Sequence, residues 1–136
     1  MDRTLVICKP DAVERGLVGT ILERLERKNL RIAALDLRML DADLLGRHYE
    51  EHVGKPFYDG LVAFMSRSPV VCLVLEGPEN TFKVVRNLMG ATNPKEAAPG
   101  TIRGDFAIET TENLVHGSDG IESAEREIGI FFPSMV

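Results

Sequence analysis

Val70 to Leu75 reads VVCLVL, a continuous apolar run rich in valine that Gly77-Pro78 ends. A strand with no polar face has to be covered on both sides, so a sheet holding it at its centre needs a layer of other elements above and below. The rest of the chain offers such elements. Thr4 to Cys8 reads as a second short buried strand, stopped by Lys9-Pro10-Asp11. From Ile32 to Leu40 the polar Asp36 and Arg38 alternate with Leu35, Leu37 and Met39, the period of a strand with one buried face. Apolar stripes at helical spacing follow Val18, Ile21, Leu22 and Leu25, with Asn29 as a stop. They recur at Phe57, Leu61, Phe64 and Met65, and at Phe82, Val85 and Met89, with Gly90 as a stop. Asp41 or Asp43 caps a short helix through His52, and Gly54-Lys55-Pro56 breaks the chain after it. Strands mixed with helices in this way give a layered α/β or α+β domain whose strand order the pattern alone leaves open.

At 136 residues, without an internal repeat, linker or low-complexity tail, the chain is expected to form a single domain over residues 1–136. The formal charge of −5 argues against a dedicated nucleic-acid or anionic-membrane surface, though it leaves room for a local basic pocket. No apolar stretch reaches the ~18 residues of a membrane helix. The N-terminus lacks the plan of a signal peptide, so a cytoplasmic location is expected. Cys8 and Cys72 lie in apolar runs without metal-ligand spacing and read as buried, reduced thiols.

The chemistry gathers around Asn113-Leu114-Val115-His116-Gly117-Ser118-Asp119. Here an apolar run ends at a histidine and a helix opens. Asp119 and Glu122 form a capping-box pattern, and Ile121, Ala124 and Ile128 form an apolar stripe. A histidine just before a helix N-terminus, beside a glycine, stands where free N–H groups and the helix dipole favour phosphate. The chain has neither a P-loop nor a GxGxxG turn, so phosphate would have to be held by dispersed side chains. Lys9, Arg86, Thr92 and Arg103 are candidates, the last two in the aperiodic stretch from Gly90 to Gly104, a length of loop that is usually functional or mobile. Two other chemistries compete. His48 and His52 at helical spacing could share a zinc ion, although HYEEH lacks the glutamate that HExxH places directly after its first histidine. Ser118 could be a nucleophile near His116, although no GxSxG elbow is present and helix capping explains the serine more simply. His116 itself remains as a nucleophile, with one ring nitrogen attacking while a partner on the other holds the tautomer.

TLVICKPDAVERGLVG at 4–19, HYEEHVGKPFYDGLV at 48–62, GATNP at 90–94, PGTIRGDF at 99–106 and NLVHGSD at 113–119 occur together and in this order. Across essentially the whole chain the sequence resembles the nucleoside diphosphate kinases. The resemblance implies an α+β, ferredoxin-like βαββαβ sandwich, with a four-stranded antiparallel sheet covered by helices. It implies reversible ping-pong transfer of a γ-phosphate from a nucleoside triphosphate to a nucleoside diphosphate through phosphohistidine. His116 matches the phosphorylated residue, modified at Nδ1, and Ser118 and Glu127 match the residues that orient it. Lys9, Tyr49, Arg86, Thr92, Arg103 and Asn113 match the nucleotide-binding set, and Phe57 matches the aromatic that stacks on the base. Magnesium is expected on the nucleotide's phosphates, without a direct protein ligand. A homo-oligomer is implied, a hexamer favoured and a tetramer possible because the chain ends soon after Phe132-Pro133. Gly120, Ala12 and Thr110 depart from the family's usual residues, with Gly120 expected to loosen the first turn of the following helix or to remove a hydrogen bond near the site.

Overall fold

The computed structural model describes residues 1–136. Four strands form one antiparallel sheet: β1 (Asp2–Cys8), β2 (Arg31–Arg38), β3 (Val70–Gly77) and β4 (Val115–Gly117), in the spatial order β2-β3-β1-β4. The helices are α1 (Pro10–Glu14), α2 (Val18–Arg27), α3 (Ala42–His48), α4 (Tyr58–Met65), α5 (Thr81–Met89), α6 (Ile102–Phe106) and α7 (Ile121–Phe131). Short 3-10 turns cover Glu50–His52 and Pro133–Met135. This is the ferredoxin-like α+β sandwich that the motifs imply.

The two central strands are sealed on both faces, as the apolar run in β3 requires. Successive side chains on a strand point to opposite faces. Val6, Cys8, Leu73 and Leu75 accordingly pack with Ile21 and Leu25 of α2, Val85 and Met89 of α5 and Ile102 of α6. Leu5, Ile7, Cys72 and Val74 pack on the other face with Leu45 of α3, Met65 of α4 and Ile128 and Phe131 of α7. Cys8 and Cys72 are both buried and unpaired, on opposite faces of the sheet. Burial pushes the Cys8 thiol up to about 12 and the Cys72 thiol up to about 11, so both stay neutral and inert at ordinary pH.

Three local expectations change. The alternation in β2 does not bury Leu35, Leu37 and Met39. β2 is an edge strand, and these side chains are 52%, 63% and 56% exposed, outside the cover of the helices. The helix after Asp41, whose carboxylate accepts the Leu44 N–H at 2.8 Å, ends at His48 rather than His52. Tyr49 (φ −104°, ψ 32°) leaves helical geometry, so His48 and His52 do not share a continuous α-helical face. Finally, α7 starts one residue later than the Asp119 capping box predicts. Gly120 is the N-cap, without a side-chain cap, and Asp119 accepts from the Ser123 hydroxyl instead. Gly120 is fully extended at φ −174°, a conformation open to any residue, so the glycine meets no backbone demand there.

Candidate active site

β4 is three residues long and hangs on the edge of β1, with Ile7 opposite His116. The Lys9 N–H donates to the Leu114 carbonyl at 2.8 Å, and the Ser118 N–H donates to the Leu5 carbonyl at 3.1 Å. Pairing therefore locks the register on both sides of His116. Strand alternation sends Val115 into one core and turns His116 towards the α3 and α7 layer. Leu114, just before the strand, has φ 76°, which costs a bulky residue roughly 1–3 kcal/mol. Its N–H donates to Asp11 Oδ2 at 3.1 Å, and its carbonyl is the acceptor for Lys9. The buried Asp11 thus holds the bend that presents the histidine.

His116 Nε2 meets Glu127 Oε1 at 2.9 Å, and Ser118 Oγ donates to the same oxygen at 2.6 Å. Burial alone would raise the Glu127 carboxyl. The hydrogen bond and charge of His116, with the Ser118 hydroxyl, outweigh it and hold the group below the usual carboxylate range. An ionised carboxylate only accepts, so Nε2 carries a proton in either state and, in the neutral ring, the lone pair resides on Nδ1. The geometry accounts for Ser118 as a support of Glu127, in place of a helix cap or nucleophile.

Four further predicted residues form one connected polar network. Lys9 Nζ donates to Asn113 Oδ1 at 2.9 Å, and Asn113 Nδ2 donates to the Thr92 carbonyl at 3.1 Å. Arg103 donates to the carbonyls of Asn113, Gly90 and Val115 at 3.2, 3.0 and 2.7 Å. Thr92 joins this network through its backbone, which leaves its hydroxyl uncommitted. Desolvation, with the Arg103 charge adding to it, brings Lys9 down to about 8. Desolvation, with Arg86 adding to it, brings Arg103 down to about 10. Arg86, on α5, donates to the Gly117 carbonyl at 3.0 Å and remains exposed.

A run of rings leads outward from His116. His48 lies 5.1 Å from it between centroids, Tyr49 4.4 Å from His48, His52 6.1 Å from Tyr49, and Phe57 5.2 Å from His52. Burial raises the Tyr49 phenol, which therefore stays a protonated donor. Phe57 closes the run at the N-terminus of α4, 53% exposed, with the Lys55 ammonium 5.9 Å from its ring centroid. A cleft of about 350 Å³ opens over His116. His48, Tyr49, Arg86, Arg126 and Glu127 are among its lining residues.

Three contributors escape the motif reading. Asp11 looks like a strand stop, yet it braces Leu114. Arg126 looks like a solvated helical residue, yet its guanidinium donates to the His48 carbonyl at 2.8 Å and ties α7 to α3. Spacing pairs His48 with His52, yet His48 is buried against His116 and Phe131. The only signal for Asp11 is its place beside Lys9-Pro10. The roles of Arg126 and His48 depend on long-range packing, which leaves no local signal.

A family model described as Nucleoside diphosphate kinase matches residues 2–136. The nucleoside diphosphate kinase of Thermoanaerobacter sp. (strain X514) is 57% identical over 135 residues, which are 99% of each chain. That of Rhodococcus jostii (strain RHA1) is 58% identical over 135 residues, 98% of this chain and 96% of the relative. Among solved structures, a nucleoside diphosphate kinase family protein from Babesia bovis superposes with a TM-score of 0.95 at 45% identity, covering 99% of this chain and 90% of that one. A halophilic nucleoside diphosphate kinase from Halobacterium salinarum in complex with CDP superposes at 0.92 with 48% identity, covering 96% and 87%. With a match over nearly its full length, and with a histidine held by a carboxylate beneath a cleft edged with cationic side chains, the chain belongs to the nucleoside diphosphate kinase family.

Proposed function

We propose that this nucleoside diphosphate kinase works through His116 Nδ1, and that the whole chain from 1 to 136 forms a single catalytic domain. The carrying observation is the Nε2–Glu127 hydrogen bond, because it leaves Nδ1 with the lone pair. In the first half-reaction Nδ1 attacks the γ-phosphorus of a nucleoside triphosphate. The N–P bond forms as the bond to the β-phosphate bridging oxygen breaks, and the diphosphate leaves. In the second half-reaction the terminal oxygen of another nucleoside diphosphate takes the phosphoryl group back. Glu127 stabilises the positive charge that the ring gains, and Ser118 holds Glu127 in place. Phosphoryl transfer loads charge on the equatorial oxygens, which Lys9, Arg86 and the Tyr49 phenol would meet. Thr92 supplies a hydroxyl and Asn113 an amide towards the nucleotide. Arg103 contributes mainly its field, because three of its N–H donors are spent on carbonyls.

Magnesium fits this reading as part of the substrate. It requires oxygen ligands, whereas the groups gathered at His116 are two imidazoles and a single carboxylate, so the nucleotide's phosphates would carry the ion. No helix is long and apolar enough to cross a membrane, and the two free buried thiols suit the reducing cytoplasm in which we place the enzyme. The bare apolar face of β2, an edge strand, supports a homo-oligomer, with a hexamer favoured over a tetramer.

Replacement of His116 by alanine should abolish γ-phosphate transfer and the acid-labile phosphoenzyme, with an unchanged circular-dichroism melt. Retained label on the variant protein would reject the assignment. Because Lys9 titrates at about 8, it is a cation below that pH and neutral above it. The kcat/KM for a nucleoside triphosphate, which reports the free enzyme, should therefore fall as pH rises through about 8. Lys9→Arg should flatten that limb, and an unaltered profile would remove Lys9 from phosphate binding. Phe57→Ala should raise KM for adenine, guanine and pyrimidine nucleotides by a similar factor, about 5- to 150-fold for one lost stack; loss for a single base would refute stacking. Sizing by light scattering should give six subunits, and a monomer at working concentration would overturn assembly through β2.

A further inference from the structure

His48 is 4% exposed, and neither of its ring nitrogens has a hydrogen-bond partner. An imidazole always has something to donate or accept, and burying it unpaired carries a desolvation cost that packing alone does not remove. Its neighbours on one side are Tyr49 and Phe131, which offer ring faces and edges. On the other side are the two groups of the phosphotransfer centre. One nitrogen from His48, one from His116 and one oxygen from Glu127 all lie within 4.8 Å of one another. Two imidazoles and a carboxylate are a donor set for zinc, which takes three protein ligands at about 2.0–2.2 Å and keeps a fourth position open. Ligand atoms of a tetrahedral zinc sit about 3.4 Å apart, so modest rotations of these side chains would close the set.

We propose that His48, His116 and Glu127 form a zinc site that switches the kinase off by occupying its nucleophile. Nitrogen-rich ligation separates this site from magnesium, which requires oxygen and dehydrates reluctantly. The charge of the cleft admits a cation, because Glu51, Asp119 and Glu127 line it together with Arg86 and Arg126. Glu127 stands on the Nε2 side of the His116 ring, so a zinc ion shared by the two is held through Nε2. Ligation there breaks the hydrogen bond to Glu127 and moves the single ring proton to Nδ1, which then cannot attack phosphorus. Only this inhibitory consequence rests on His116 being the nucleophile. The binding of zinc does not.

The chain has three histidines, His48, His52 and His116, so ring-nitrogen NMR can read every imidazole in the unmodified protein. Zinc at one equivalent per chain, in excess magnesium, should shift the ring nitrogens of His48 and His116 and leave those of His52 in place. Shifts confined to His52, or none, would overturn the site. Equilibrium dialysis should find about one zinc per chain in the wild type and in His52→Ala. In His48→Phe, which keeps a ring against Phe131, affinity should drop by about 100-fold or more, beyond the effect of most outer-shell changes. Unchanged affinity in His48→Phe would also overturn it. If zinc binds as described but the zinc-loaded enzyme is still phosphorylated by γ-labelled MgATP, the switch fails while the kinase reading stands. Absence of label with and without zinc would instead count against the kinase reading.

Discussion

The outer edge of β4 is closed by two guanidinium groups instead of another strand. The bonds from Lys9 to Leu114 and from Ser118 to Leu5 turn the even-numbered residues of this segment towards β1. The carbonyls of Val115 and Gly117 consequently point away from the sheet. Arg103 takes the first at 2.7 Å and Arg86 the second at 3.0 Å. An open edge is a liability for any sheet, and here its closure brings two positive charges to either side of His116. Both arginines belong to helices of the layer opposite the one that His116 faces. They can reach the histidine only because β4 is at the edge, where the two layers meet around a single strand.

Holding the cations by carbonyls has an electrostatic consequence. A carboxylate partner would neutralise each guanidinium, whereas a carbonyl orients it and leaves its net charge available to an anion. Carboxylate partners are used elsewhere in the chain. Glu76 joins Arg3 and Arg31, Glu14 joins Arg67, and Asp105 joins Arg24. A protein with a formal charge of −5 can therefore place two guanidinium groups without carboxylate partners beside one strand while being acidic as a whole. In the proposed reaction such backbone-held charges would need little reorganisation as the phosphoryl group moves.

The parts of this arrangement legible in the sequence are those whose cause is local or repeated. An unbroken apolar run such as Val70–Leu75 has one physical solution, and β3 adopts it, extended to Gly77. The clustering of chemistry near His116 could be read from the strand ending there and the helix beyond, and the ordered motifs supplied the family. What periodicity misjudged was set by distant partners. Leu35 and Leu37 have the spacing of a buried face, but β2 is outermost and no helix reaches them. Helical spacing carried the α3 pattern through His52, but the chain bends at Tyr49 and His48 turns in towards His116. The carboxylate that braces Leu114 comes from 103 positions earlier, and composition holds no trace of such a contact.

The ring run from His116 to Phe57 explains how one cleft could serve two half-reactions with different bases. A ping-pong enzyme has to release one nucleoside and accept another in the same place, so any polar group committed to one base edge would penalise the second step. In the proposed stacking role Phe57 would avoid that conflict, because a π-face is common to all bases and its exposure would let bases of either size approach. Discrimination then has to come from what every substrate shares, the phosphates and the sugar. Lys9, Asn113, Thr92 and Arg103 are joined in one polar network, and Phe57 stands at the far end of the ring run from His116.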